Sequence, residues 1–155
     1  MNIYKRLEEL GIRLPQATQK AGIYNRLVPF GQNLVYMSGT GPAFGEDPCA
    51  LGKLGRELTL EQGQETARRC MINILANLHA ELGDLNRIKR FVKVLAFVAS
   101  DDEFTQQPLV ANGASQLLLD VFGEEVGLAA RSAIGVNVLP GNIPVEIEAL
   151  LELKA

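Results

Sequence analysis

Apolar residues recur at the spacing of an amphipathic helix in three parts of the chain. The first long stretch begins at Thr59, where Thr59 and Gln62 fit a capping box, and ends near Gly83, a residue suited to a helix C-terminus. The second long stretch spans residues 107–122. A shorter stretch over residues 2–10 predicts a short N-terminal helix.

Other segments carry the apolar patterns of β-strands. These patterns predict strands at residues 26–30, 34–38 and 87–99, followed by a C-terminal hairpin made of residues 131–138 and 143–153. The strand at 87–99 is apolar on both faces, so both faces should be covered. Because one layer of helices covers only one face, we expect a partner subunit to cover the other.

The predicted hairpin has an apolar face, which suits packing against the helices, and a second face of charged and small residues. The second face holds Arg131, glutamates and the small residues Ala133 and Gly135, which leave room for a close approach. In a hairpin closed at residues 139–142, Glu146 would lie roughly opposite Gly135, on the same face as Arg131.

Residues 39–58 contain five glycines and two prolines, a composition typical of a loop. A loop this long is more often functional than not. With 155 residues and no internal repeat, the chain should form one domain over residues 1–155, in which residues 1–20 are an N-terminal extension with the short helix.

Charge and cysteine content narrow the class of protein. The 15 basic and 18 acidic residues give a net charge of -3, which provides no electrostatic attraction to nucleic acid or an anionic membrane. Cys49 and Cys70 form no CxxC pair and have no neighbouring His/Cys set, which argues against a metal site and for a reducing compartment. No signal peptide or apolar run of about 18 residues is present, so we expect a cytoplasmic protein.

Four short motifs appear in a characteristic order. Residues 130–136 (Ala-Arg-Ser-Ala-Ile-Gly-Val) are followed by residues 145–149 (Val-Glu-Ile-Glu-Ala), and upstream of them lie Tyr-Met-Ser-Gly at 36–39 and Val-Ala-Asn-Gly-Ala-Ser at 110–115. Together they resemble the Rid (YjgF-like, endoribonuclease L-PSP) family of enamine and imine deaminases over about residues 22–153.

The resemblance implies an α+β fold in which a mixed six-stranded sheet packs against two helices on one face, similar to bacterial chorismate mutase. It also implies a homotrimer with ligand sites in clefts between subunits. The family activity is hydrolysis of reactive 2-enamine and 2-imine acids to 2-keto acids and ammonia, a form of metabolite damage control. The expected partner is therefore a small carboxylated metabolite.

The resemblance also assigns two principal site residues. Arg131 aligns with the family's substrate-binding arginine, and a guanidinium can hold a carboxylate in a bidentate grip. Glu146 matches the position proposed to activate water. The alternatives are a structural ion pair for Arg131, and a solvated edge residue or an intersubunit salt bridge for Glu146.

Four further residues are assigned by the resemblance to substrate binding. Tyr24 resembles the tyrosine that closes the cleft from a neighbouring subunit, or else is a packed surface residue. Ser38 and Gly39 would supply hydrogen bonds, and Asn112 matches an asparagine near the cleft that could instead cap a helix. We expect the single histidine, His79, to be structural or solvated.

The chain departs from the family pattern at two positions. The clearest deaminases carry a cysteine where this chain has Ala133, and the loop at residues 52–59 resembles a longer-chain subgroup that often has histidine where this chain has Ala129. The leading hypothesis is an imine and enamine hydrolase that acts without a metal or bound cofactor. A non-catalytic trimer that binds small ligands is the second hypothesis, and RNA cleavage is the third, against which the acidic balance argues.

Overall fold

The computed structural model describes residues 2–43 and 48–155 of the chain. Short 3-10 turns at Leu85–Arg87 and Pro140–Asn142 precede two of its strands. In chain order the helices and strands are α1 (Ile3–Glu9), β1 (Leu27–Phe30), β2 (Leu34–Thr40), α2 (Leu60–Leu82), β3 (Ile88–Ala99), α3 (Gln107–Phe122), α4 (Glu124–Gly127), β4 (Ala130–Val136) and β5 (Val145–Leu153).

The predicted helices form close to the predicted bounds. Thr59 Oγ1 accepts a hydrogen bond from the Gln62 N–H at 3.3 Å, and the Gln62 side chain accepts one from the Thr59 N–H at 2.9 Å. These two bonds complete the capping box of α2. Gly83 ends α2 with a φ of 78°, a conformation that favours glycine. The short helix α1 is capped by the side chain of Asn2.

The sheet has five strands among the described residues, in the order β1-β2-β5-β3-β4, and not the six that were expected. β3 and β4 run parallel, whereas the other neighbours are antiparallel. The predicted C-terminal hairpin is therefore wrong, because β3 lies between β4 and β5. The segments β3, α3 and β4 form a βαβ unit, in which α3 is the crossover that a parallel pair requires.

One face of the sheet is covered by α2 and α3. Val94, Ala96 and Val98 of β3 and Ile147 and Ala149 of β5 are all buried in the core that these helices complete. The two long helices thus pack on one side of a mixed sheet, as expected.

The orientation of β4 is the reverse of the prediction. Ala133 pairs with the buried Ala96 on the helix side of the sheet, whereas Ile134 is 44% exposed on the other side. A Cβ on Gly135 would lie 2.9 Å from Nε2 of Gln107 on α3. The small residues of β4 therefore make room for α3 rather than for a ligand.

The uncovered side of the sheet, which we call the open face, carries exposed apolar side chains on β1, β2 and β4. Val28, Phe30, Tyr36 and Ile134 are each between 43% and 47% exposed. No helix of the described residues lies over these side chains, so the cover expected from a partner subunit stays a prediction.

The N-terminal helix packs against the rest of the fold. Ile3 and Leu7 are buried, and Arg6 Nε donates a hydrogen bond to the Asp120 carbonyl at 2.8 Å. The hydroxyl of Tyr4 lies 2.9 Å from Nδ1 of His79, in agreement with a structural role for this histidine. Within residues 2–43 and 48–155, no helix has the length and hydropathy needed to span a bilayer.

The contact between α2 and α3 gives a prediction about stability. A Cβ on Gly113 would overlap the backbone carbonyl of Gln64, so Gly113→Ala should force the helices apart. We expect a loss of about 1–3 kcal/mol in the free energy of unfolding, measured by urea denaturation. Gln116→Ala, an exposed change on the same helix, should alter stability by less than about 0.5 kcal/mol. Equal losses in the two variants would contradict this close packing.

Candidate active site

Arg131 is held against α3 by three hydrogen bonds. One terminal nitrogen, NH1, donates to Asn112 Oδ1 and to Ser115 Oγ, each at 2.9 Å, and NH2 donates to the Pro108 carbonyl at 3.0 Å. The three acceptors lie at helical spacings of four and three residues, so they share one face of α3. We call this arrangement the Arg131 clamp.

The clamp leaves the charge of Arg131 unmatched. Asn112, Ser115 and the Pro108 carbonyl are neutral acceptors, and Arg131 forms no salt bridge within the described ranges. The structural ion pair considered as an alternative is therefore not what holds this residue. Three hydrogen bonds leave two of the five guanidinium N–H donors for another partner.

Glu146 lies on β5 with its side chain on the open face, where it is half-buried. Burial, and then the negative charge of Glu148, raise the pKa of Glu146 above its ordinary value. A Cβ on Gly39 would overlap the Glu146 carboxylate, so this carboxylate lies directly against the backbone of β2. The register of β2 shifts between Met37 and Thr40, which places a bulge at this contact.

A hydrogen bond beside Glu146 was not predicted from the sequence, although Glu148 was placed on the same face as Glu146. The hydroxyl of Tyr36 on β2 donates a hydrogen bond to Oε1 of Glu148 at 2.6 Å. The pKa of Tyr36 is raised, first by this hydrogen bond and then by burial. We call Glu146, Glu148, Tyr36 and Gly39 the Glu146 cluster.

Ser38 anchors the segment that carries Tyr24. Its hydroxyl donates to the Asn25 carbonyl at 2.6 Å, and its N–H donates to the Arg26 carbonyl at 2.8 Å. Tyr24 is 39% exposed, and the neighbouring Ile23 is fully exposed. The structure thus places Ser38 and Tyr24 in adjacent segments at the end of the sheet that holds Gly39.

The Arg131 clamp and the Glu146 cluster do not meet within one chain. Arg131 pairs with Val94 of β3, and Glu146 pairs with Phe97, three residues further along a regular part of that strand. The two side chains therefore point to opposite faces of the sheet. β4 and β5 are also separated by β3, roughly 10 Å across the sheet. The prediction that Glu146 lies opposite Gly135, on the face of Arg131, is wrong.

The described parts of the loop at residues 39–58 are held by hydrogen bonds to α2 and β3. Nδ2 of the buried Asn73 donates to the carbonyls of Gly41 and Ala43 at 2.9 and 2.7 Å, so α2 fixes the chain just beyond Gly39. On the other side of the loop, the Leu54 N–H donates to the Ala99 carbonyl at 2.8 Å. Residues 44–47 of this loop lie outside the described residues.

Cys70 packs in the core. It is fully buried, its Sγ lies 3.3 Å from the Val145 carbonyl, and burial raises the pKa of its thiol. Among the described residues, no three His, Cys, Asp or Glu side chains are arranged to hold a metal ion.

Comparison with known proteins agrees with the fold and extends over nearly the whole chain. The family described as "YjgF/chorismate_mutase-like, putative endoribonuclease" matches residues 4–152. Protein TCP17 of Trypanosoma cruzi is 48% identical over 148 residues, which cover 96% of this chain and 92% of that protein.

Two solved structures extend the comparison. The protein Atu1372 of Agrobacterium tumefaciens, whose function is unknown, is 42% identical with a TM-score of 0.89, covering 98% of this chain and 92% of that one. A "putative endoribonuclease" from Shewanella oneidensis MR-1 is 27% identical with a TM-score of 0.93, covering 99% and 100%. The chain belongs to the YjgF/chorismate-mutase-like family.

Proposed function

We propose that this protein hydrolyses reactive 2-enamine and 2-imine acids to 2-keto acids and ammonia, without a metal or bound cofactor. The observation that carries the proposal is the Arg131 clamp, in which a guanidinium is held in place by neutral acceptors alone. A fixed cation with unused donors is suited to a small substrate that carries a carboxylate. Such a protein acts on cytoplasmic metabolites.

Glu146 supplies the chemistry of water activation in this proposal. Its carboxylate takes a proton from water while the water oxygen forms a bond to the imine carbon, and the C=N electron pair moves to nitrogen. The protonated acid returns the proton to nitrogen, which gives a carbinolamine. The carboxylate then takes the hydroxyl proton of the carbinolamine and passes it to the amino nitrogen, so that the C=O bond forms, the C–N bond breaks and ammonia leaves. A carboxylate whose pKa is raised is the better proton acceptor for this role.

The other assigned residues have supporting roles in this proposal. Asn112 acts through Arg131, whose guanidinium it holds. The Ser38 hydroxyl already donates to the Asn25 carbonyl, so it can serve substrate only as a hydrogen-bond acceptor. Tyr24, together with the backbone of Gly39, orients substrate over the Glu146 carboxylate.

A second subunit is needed for this site, because Arg131 and Glu146 lie on opposite faces of one sheet. We infer a homotrimer in which the open faces pack inward and the ligand sites lie between subunits. The apolar side chains exposed on β1, β2 and β4 of the open face support this arrangement, since a subunit interface would remove their apolar surface from water.

The assembly gives its own prediction. Ile134→Asp places a charge on the open face and should convert the trimer to a monomer, measured by light scattering coupled to size-exclusion chromatography. Leu51→Asp is the matched control, because Leu51 is 51% exposed and lies outside the helices and strands. A wild-type monomer, or an Ile134→Asp variant that stays trimeric, would contradict an interface on this face.

The test of the function is turnover of freshly generated 2-imino acids, followed as release of keto acid and ammonia. A ligand-binding trimer without catalysis is the second candidate, favoured by Ala133 at the position of the family cysteine. Stabilisation against heat by a keto acid, without any turnover of imine, would establish that candidate. RNA binding that weakens steeply with salt would instead favour the endoribonuclease description of the relatives.

A further inference from the structure

Three acidic side chains of β5 share the open face but differ in their surroundings. Glu146, Glu148 and Glu152 alternate with buried residues along the strand. Glu152 accepts hydrogen bonds from Lys89 at 2.8 Å and from Arg90 at 2.7 Å, so its charge is compensated. Glu148 is bonded only to the neutral phenol of Tyr36 within the described residues.

The cationic side chains of the open face bind groups other than Glu146 and Glu148. Lys89 and Arg90 are paired with Glu152, and Lys93 Nζ donates to Ser132 Oγ at 2.7 Å. Two carboxylates two positions apart on one strand are roughly 7 Å apart along the strand, which is within effective electrostatic range. Burial is the main cause that raises the pKa of Glu146, and the negative charge of Glu148 is the second.

Within one subunit, the described elements packed around Glu146 add little other charge. On β2 the titratable neighbour is Tyr36, and on α2 it is the thiol of Cys70, whose raised pKa keeps it neutral. Arg69 of α2 donates from Nε to the Pro42 carbonyl at 3.0 Å. Cys49, the other titratable group near Cys70, follows residues 44–47, which lie outside the described residues.

We propose that the Tyr36–Glu148 pair is a positioning element for Glu146, in which the phenol fixes Glu148 so that its negative charge acts on the Glu146 carboxylate. A hydroxyl donating at 2.6 Å to a carboxylate is a short, charge-assisted bond, and it restricts the rotamers of Glu148. The pair is a cross-strand contact between β2 and β5, so it also connects the bulge at Gly39 to the strand that carries Glu146.

This inference rests on the proposed function, because it assigns Tyr36 and Glu148 to the residue proposed to activate water. Neither residue needs to touch substrate. Their effect is to keep the Glu146 carboxylate ready to accept a proton at a pH where an unperturbed glutamate is a weaker base.

The experiment is a pH titration of the Glu146 side chain by carbon NMR, in protein labelled at the glutamate carboxyl carbons and assigned with Glu146→Gln. Glu148→Gln removes the neighbouring charge, so the midpoint of the Glu146 titration should move to lower pH. Tyr36→Phe releases Glu148 and should move the midpoint in the same direction. Glu152→Gln removes a compensated charge from the same strand and face, so it should leave the midpoint unchanged.

An unchanged Glu146 midpoint in both Glu148→Gln and Tyr36→Phe would overturn the inference, as would an equal shift in Glu152→Gln. If Glu148→Gln does not fold, Tyr36→Phe decides alone. The acid limb of imine turnover should follow the NMR midpoint to lower pH. Absence of turnover in wild type would count against the proposed function only, since the titration does not depend on substrate.

Discussion

Arg131→Ala is expected to lower kcat/KM for 2-imino acids by roughly 30- to 1000-fold, which corresponds to about 2–4 kcal/mol of lost charge pairing. The physical reason is that the clamp holds the guanidinium through neutral acceptors, so substrate is the group that meets its charge. The measurement is the rate of keto acid and ammonia release at low substrate concentration, with wild type beside the variant.

Two controls separate this loss from damage to the fold. Arg13→Ala removes an exposed arginine from the N-terminal extension and should leave turnover unchanged. An imine that lacks a carboxylate should be hydrolysed equally slowly by wild type and Arg131→Ala. If the variant loses activity toward both imines to the same extent, Arg131 does not bind the substrate carboxylate.

Lysine at the same position tests the geometry of the clamp. An ammonium keeps the charge but cannot reach three acceptors spread along one helix face while also gripping a carboxylate. Arg131→Lys should therefore recover only a small part of the lost activity. Ser115→Ala removes one of the three acceptors without removing the charge, so its loss should be smaller than that of Arg131→Ala.

Local features of this fold could be predicted from the sequence because they depend on residues close together along the chain. The capping box at Thr59 and Gln62 and the helix end at Gly83 involve neighbours within one turn. The strand positions also followed from alternation, since period two is a local property.

Strand order could not be predicted in the same way. Alternation shows which residues share a face, but it does not show which strand lies beside which, so β4 and β5 were taken for a hairpin. The error then placed Arg131 and Glu146 on one face. The βαβ order of β3, α3 and β4 was the signal for a parallel pair that the sequence did contain.

The acceptors of the Arg131 clamp lie close together along the chain, whereas the Glu146 cluster depends on strand pairing. Asn112 was assigned beforehand, and Ser115 could have been found from its helical spacing relative to Asn112. The bond from Tyr36 to Glu148 could not have been found, because it depends on the register of β2 against β5 and on a bulge in that pairing.

Glu146→Gln should change activity and stability in opposite directions. Loss of the proton acceptor should lower kcat by about 100- to 10 000-fold with little change in KM, measured by steady-state turnover of 2-imino acids. The pKa of Glu146 is raised in the folded protein, so folding favours its protonated form. This contribution to stability is fully present below the unfolded pKa and is lost as pH rises through the folded pKa.

At neutral pH the ionised carboxylate therefore costs stability, and a neutral glutamine should raise the free energy of unfolding. The gain should vanish at low pH, where Glu146 itself is protonated. Glu152→Gln is the control of opposite sign, because hydrogen bonds and charge from Lys89 and Arg90 lower the pKa of Glu152. That variant should keep its activity and lose a little stability at neutral pH. The proposed mechanism uses a carboxylate whose ionised form is destabilised by its site in the folded protein. A Glu146→Gln variant that is active, or that is less stable than wild type at neutral pH, would therefore contradict the role proposed for Glu146.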